Sequence, residues 1–264
     1  MNYPDYETLT VSLEGHVLQL QLNRPDTMNA ANAAMERELT GFFRAVNQDA
    51  RVRVIVMSGA GKAFSAGGDF AYMRELLDNP SLAWDGIQQG KQVIFSMLDC
   101  IKPIVAKLNG HAIGFGATIA LFADVSFAAE NVRIADPHVA IGFVAGDGGA
   151  VIWPQLIGYN RAKEYLFTGE PLLASEAARI GLINRALPAQ ELDAAVAAYA
   201  EKVASMPARA VQWTKATVNI GLKQLAHSIM DASLAYEVLS NSTRDHQEAL
   251  QAIAEKRKPD FTGN

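Results

Sequence analysis

Two residues lying close together in the sequence have the chemistry to move a proton. Asp147 stands alone among glycines in the apolar run IGFVAGDGGAV, residues 141–151, and His138 precedes it in IADPHVAIG. An unpaired carboxylate in apolar surroundings is costly. Desolvation is expected to raise the Asp147 carboxyl from its ordinary value of about 3.9, toward acid–base duty at neutral pH. An unperturbed histidine titrates near about 6.5, the range of a general base. Each residue also has a plainer reading. DGGAVIWP is a good helix start, and Asp is a preferred N-cap. A histidine beside proline is often hydrogen-bonded structure. The residues alone leave both readings of each open.

Two glycine-rich turns, GAGKAFSAGGDF at 59–70 and NGHAIGFGATIA at 109–120, each follow a strand pattern and precede a helix pattern. Glycine leaves backbone N–H groups bare and lets a ligand approach the chain. Two converging N–H groups make an oxyanion hole; the alternative is that the glycines merely permit tight turns. Other chemistries fail on spacing. A phosphate loop needs Gly at 56 and Ser or Thr at 63, where the chain has Val56 and Ala63. AFSAG departs from the serine-hydrolase elbow at Ala63, which argues against Ser65 as a nucleophile. Gly114 and Gly116 lack the third glycine of a dinucleotide fingerprint, its place being taken by Ile119. Cys100, in MLDCIKPIVA, has no neighbouring base and reads as a buried structural thiol. No His/Cys/Asp/Glu spacing points to a metal.

The elements that must position these residues follow from periodicity. TLTVSLEGHVLQLQLNRP alternates around Glu14-Gly15 and predicts a β-hairpin. NAANAAMERELTGFFRAVNQ has helical spacing, VRVIVMSGAG reads as a buried strand, residues 84–99 as a helix, and KPIVAKLNG, VSFAAE and VRIAD as further strands. This order predicts a parallel sheet with helical crossovers. From about residue 148 every segment reads as helical, and Ile229 to Lys256 as one long helix. The division falls near residue 200, between an α/β core over 1–200 and a helical part over 201–264. No repeat or low-complexity linker is visible. The 264 residues carry a formal charge of −5, with half hydrophobic and 19% charged, which argues against nucleic acid as a partner. The N-terminus lacks a basic-then-apolar leader, and no apolar run is long enough for a membrane span. The single cysteine rules out an internal disulfide and fits a cytoplasmic setting.

Five motifs then carry a resemblance. LNRPDTMNA, KAFSAGGDF, KPIVAKLNGHAIGFGATIALFAD, LFTGEPLLASEAARIGLINRAL and DHQEALQAIAEKRKPDF resemble, in order, the signatures of the crotonase (enoyl-CoA hydratase/isomerase) superfamily, from about residue 8 to 261. The resemblance implies a crotonase-like ββα spiral core with a C-terminal helical trimerisation region, a homotrimer or homohexamer, and an acyl-CoA thioester as substrate. It also implies no permanently bound cofactor, with coenzyme A arriving as part of the substrate. The thioester oxygen is expected at the N–H groups of Gly68 and Phe115. Asp26, Thr27 and Met28, with Ala66, are implied at the coenzyme A end. Asp26 and Ala71 stand where relatives place cations. Lys256 and Lys258, with Arg257, are candidates to compensate, from this chain or a neighbouring one; their other reading is a solvated basic helix end. Asp69 is expected to cap the next helix.

Familiar hydratases of this superfamily hold one water with two glutamates. The corresponding positions here are Thr118 and His138. A threonine hydroxyl orients water but carries no proton charge at neutral pH. Asp147 and His138 are therefore the remaining acid–base candidates, and Phe143 and Trp153 are expected to wall the acyl end. His16, His111, His227 and His246 read as structural or exposed, and Glu170 as part of a turn. The expected activity is enoyl-CoA hydration or isomerisation through an oxyanion-stabilised enolate. The alternatives are hydrolysis or C–C cleavage on the same fold, or acyl-CoA binding without catalysis.

Overall fold

The computed structural model describes residues 3–264, without the side chains of residues 77, 80, 81, 83, 84 and 87. Met1 and Asn2, the first residues of the segment read for a leader, lie outside it. The chain opens with the expected hairpin, β1 (Leu9–Glu14) and β2 (Val17–Leu22), paired antiparallel. A 3₁₀ turn at Pro25–Thr27 leads to α1 (Ala33–Val46), capped by the Asn32 side chain accepting from the Met35 N–H. Three β-turn-β units follow, each closed by helix: β3 (Val54–Gly59) and β4 (Ala63–Ser65) before α2 (Phe70–Asp78) and α3 (Pro80–Asp99); β5 (Ile104–Leu108) and β6 (His111–Ile113) before α4 (Phe115–Leu121); β7 (Val125–Ala129) and β8 (Arg133–Ala135) before α5 (Gly149–Ile157) and α6 (Tyr159–Thr168). Then come β9 (Leu172–Leu173), α7 (Ala174–Ile180), β10 (Arg185–Leu187), α8 (Ala189–Ser205), α9 (Ala208–Asn241) and α10 (Arg244–Glu255).

The first strand of each unit joins one sheet and the second joins another. The larger sheet has the order β1-β2-β3-β5-β7-β10, parallel from β2 onward, and the smaller one β4-β6-β8-β9. All six residues of β3 are buried, as a parallel strand covered on both faces requires. α8 lies on the larger sheet, while α1 and α9 pack against α3. This is the ββα spiral that the resemblance implied.

Two sequence expectations need correction. The stretch after residue 148 is not all helical, because β9 and β10 extend the two sheets. The long helix is α9, which starts at Ala208 and ends at Asn241, and the tail is a separate α10. Its break is chemical: the Thr243 hydroxyl accepts from the His246 N–H and starts a new helix. Residue 200 itself lies within α8 (Ala189–Ser205). Among the described residues no helix is long and apolar enough to cross a membrane.

Candidate active site

The two turns singled out for their bare amides meet at one cavity. It is lined by Gly68 and Phe115 together with Ala31, Glu36, Tyr72, Met73, Leu76, Phe143, His138, Asp147, Leu234, Glu237 and Asn241. Gly68 pairs with Ala31 in an isolated parallel bridge, made by the Ala31 N–H to the Gly67 carbonyl and the Asp69 N–H to the Ala31 carbonyl. In such a bridge the Gly68 amide points away from Ala31. Phe115 is the first residue of α4, so its N–H has no partner within the helix. Among the described residues neither N–H meets an acceptor. Gly114 sits between β6 and α4 at φ 52° and ψ −125°, a conformation open in practice to glycine alone. A Cβ there would lie 3.7 Å from the His138 ring, which places the imidazole beside the second amide.

His138 occupies a 3₁₀ turn (His138–Ile141) just after β8 and is held from both sides. Its Nδ1 makes a very short contact with Asp136 Oδ1, and its Nε2 lies 3.3 Å from Asp147 Oδ2. The Thr118 hydroxyl, one turn into α4, donates to Asp147 Oδ1 at 3.1 Å. The two positions at which the resemblance expects carboxylates, Thr118 and His138, thus grip a third residue that is one. Burial opposes the imidazolium, but Asp136 and Asp147 together hold His138 well above its ordinary value. Burial likewise acts to raise Asp147, and here the sequence expectation fails: the His138 charge, with hydrogen bonds from Thr118 and the Gly149 N–H, holds its carboxyl below the usual range. Asp147 is also not the cap residue of α5. Gly148 takes that position, with no side-chain cap bond.

Three carboxyl groups escaped the sequence reading. Asp136 orients His138, and the Gly149 backbone comes so close that a Cβ there would lie 2.0 Å from Asp136 Oδ2. Glu36, on α1, is buried, and its carboxyl is pushed up to about 8 by burial and then by Asp147. Glu237, on α9, is pushed to about 8 by the same two causes in the same order. A signal for Glu36 was present, since it shares the buried face of α1 with Met35, Leu39, Thr40 and Phe43. Glu237 is distant in sequence and is brought in only by the tertiary path of α9.

Asp136, His138 and Asp147 offer donor atoms within 4.8 Å of one another, a spacing a metal could use. However, both imidazole nitrogens already face carboxylate oxygens, an arrangement that suits a proton between them.

The remaining expectations resolve unevenly. Asp69 caps α2, accepting from the N–H groups of Ala71 and Tyr72, and pairs with Arg24 at 2.8 Å. The Ser65 hydroxyl donates to the Asn29 carbonyl at 2.8 Å and accepts from the Gly67 N–H at 3.2 Å, with no base as a partner among the described residues. Burial pushes the Cys100 thiol up to about 11, so it stays protonated. Phe143 lines the cavity, but Trp153 is fully buried in the core against Tyr165 and does not. Asp26, Thr27 and Met28 form an exposed turn, and the Met28 carbonyl accepts from the Ala66 N–H at 2.9 Å, which joins the two implied coenzyme A segments. Lys256 and Lys258 are exposed at the end of α10. The other end of that helix packs on the His138 turn through the His246 ring and the Ile141 carbonyl, and twelve residues of helix separate the two ends by about 18 Å.

With this geometry in view, the comparisons with known proteins are decisive for family. The enoyl-CoA hydratase/isomerase family model matches residues 12–264. The chain belongs to the enoyl-CoA hydratase/isomerase family. Among its curated relatives, a crotonyl-CoA hydratase of Syntrophomonas wolfei is 33% identical, covering 97% of this chain and 98% of that protein. An (E)-benzylidenesuccinyl-CoA hydratase of Thauera aromatica is 34% identical, covering 97% and 99%. A crystal structure of an enoyl-CoA hydratase/isomerase from Mycobacterium paratuberculosis superposes with a TM-score of 0.89 at 36% identity, covering 94% of this chain and 99% of that one. For this member of the enoyl-CoA hydratase/isomerase family, the crotonase fold is therefore established together with its enzyme class.

Proposed function

We propose that the chain hydrates or isomerises an enoyl-CoA thioester through an enolate held by the N–H groups of Gly68 and Phe115. One observation carries this reading: two amides without acceptors border the same cavity as a carboxylate–imidazole pair. In hydration, Asp147 takes a proton from water as the water oxygen bonds to Cβ. The double-bond electrons move onto the thioester oxygen, and the proton is then delivered to Cα as the enolate collapses. In isomerisation the same pair takes the proton from Cγ and returns it at Cα. Losing one preset N–H donor typically costs about 2.7–4 kcal/mol of barrier. Asp136 and Thr118 fix the ring and the carboxylate and need not touch substrate. Hydration is favoured by the names of the relatives.

Coenzyme A enters as part of the substrate, with its adenine end at Asp26, Thr27, Met28 and Ala66. Lys256 and Lys258, about 18 Å along α10 from its contact with the His138 turn, are the candidates for a coenzyme A phosphate on this chain or on a neighbouring subunit. A homotrimer or homohexamer is supported by Trp213, Val218, Ile220, Tyr236 and Leu239, apolar side chains left exposed along α9. The unpaired Cys100 supports a cytoplasmic location.

The test is product analysis with a panel of enoyl-CoAs, for the parent and for Asp147→Asn. We expect hydrated or double-bond-shifted product, and a loss in kcat of about 10²–10⁴ in the variant, the range for a general acid–base group. Tight binding of the whole panel without turnover would replace this reading with a non-catalytic one. Release of free coenzyme A would replace it with hydrolysis.

A further inference from the structure

Three side chains that line this cavity each carry a buried polar atom with no hydrogen-bond partner among the described residues: Glu36 Oε2, Asn241 Oδ1, and Glu237 Oε2, which lies against the Gly146 backbone. They come from α1 and from the last turns of α9. Each such atom costs about 1–3 kcal/mol unless something pairs with it, and three around one space is a pattern a simple alkyl chain would leave unanswered. The thioester oxygen does not answer it either, since that atom is assigned to Gly68 and Phe115. The rest of the lining is largely apolar, with Met73, Leu76, Phe115, Phe143 and Leu234, and Tyr72 lies near Glu36.

Resting on the enoyl-CoA reading above, we propose that the pocket selects an acyl group with an apolar body and a hydroxyl beyond Cβ, which is met by Glu36, Glu237 and Asn241. A hydroxyl both donates and accepts, so it suits an amide oxygen and carboxyl groups alike. An anionic acyl end does not fit. With Glu36 and Glu237 protonated, Asp136 and Asp147 still outnumber the single His138 charge, and ionising either glutamate adds a further negative charge. The two glutamates stay protonated at neutral pH because burial and the nearby Asp147 disfavour their ionisation, so each offers an O–H as well as an acceptor.

The experiment compares kcat/KM for substrates that differ only in hydroxyl against methyl: 4-hydroxypent-2-enoyl-CoA with 4-methylpent-2-enoyl-CoA, 5-hydroxypent-2-enoyl-CoA with hex-2-enoyl-CoA, and 6-hydroxyhex-2-enoyl-CoA with hept-2-enoyl-CoA. Crotonyl-CoA serves as the common reference. We expect at least one hydroxyl member to exceed its partner by about tenfold or more, because a site built to bond a hydroxyl rejects the analogue lacking it. Glu237→Leu, or Glu36→Leu if the first does not fold, should bring that ratio near one, and Glu237→Gln should recover part of it. Turnover of crotonyl-CoA with the methyl member equal or better in every pair overturns this proposal and leaves the enoyl-CoA reading standing. Absence of both binding and turnover across the whole panel overturns the two together.

Discussion

At the scale of single residues, the account turns on how His138 shares its proton. Its bond to Asp136 is tight and its approach to Asp147 is looser, so the Asp147 side is the one that exchanges with substrate. Asp136→Asn removes a carboxylate that favours the imidazolium. The alkaline limb of the pH–rate profile should therefore move to lower pH, readable from kcat across pH 6–10. The same pairing affects stability. A histidine whose folded value is raised contributes stability fully below about 6.5 and loses it as pH rises through the folded value. Asp136→Asn should thus lower Tm most near pH 6 and least at high pH. Glu36 changes stability with pH in the same direction, through a penalty that grows as pH rises rather than a contribution that is lost. Its carboxyl titrates at about 8 when folded and near about 4.3 when unfolded, so the folded state holds the extra proton between these limits and stability falls across that window. Glu36→Gln should match the parent in Tm near pH 4 and exceed it by several degrees at pH 8.5, at about 2–4 °C per kcal/mol for a chain of this size. The sequence showed Asp147 and His138 as the acid–base candidates. It misjudged the direction of the Asp147 shift because that depends on an imidazole 3.3 Å away, which spacing along the chain does not reveal.

At the scale of elements, the site depends on backbone approaches that leave no room for side chains. Gly149→Ala would drive a Cβ into Asp136 Oδ2, displacing the carboxylate that orients His138. We expect a kcat loss larger than any loss of Tm, measured by comparing steady-state kinetics with thermal melts. Asn29 has the corresponding role at the coenzyme A turn. Fully buried at φ 57°, it donates to the carbonyls of Ala60 and Ala63 and accepts from the Arg24 N–H. Asn29→Ala strands these groups and should cost about 2–4 kcal/mol, since each unpaired buried group costs about 1–3; chemical denaturation would read it. The hairpin, α1 and the parallel strands were legible because alternation and helical spacing are local signals. The short strands β9 and β10 were not, because two or three residues carry no period of their own and exist by pairing with β8 and β7.

At the scale of the whole molecule, the spiral itself was legible only by resemblance. Its units begin at Val54, Ile104 and Val125, and such unequal spacing defeats a search for a fixed period. What repeats is the allocation of strands to two sheets, which brings two turns from different units to one cavity. α9 then closes that cavity with Glu237 and Asn241 while leaving apolar side chains facing outward. If those side chains are covered by other copies, the protein should sediment at three or six times the chain mass. Val218→Asp or Leu239→Asp should shift it toward smaller species, with a loss of activity that follows dissociation. The measurement closest to the central claim is a crystal structure with a bound enoyl-CoA or a stable analogue. The account predicts the thioester oxygen within about 2.7–3.1 Å of both the Gly68 and Phe115 nitrogens, with Asp147 or His138 facing Cα. A thioester oxygen out of reach of both nitrogens, or seated elsewhere on the chain, would contradict it.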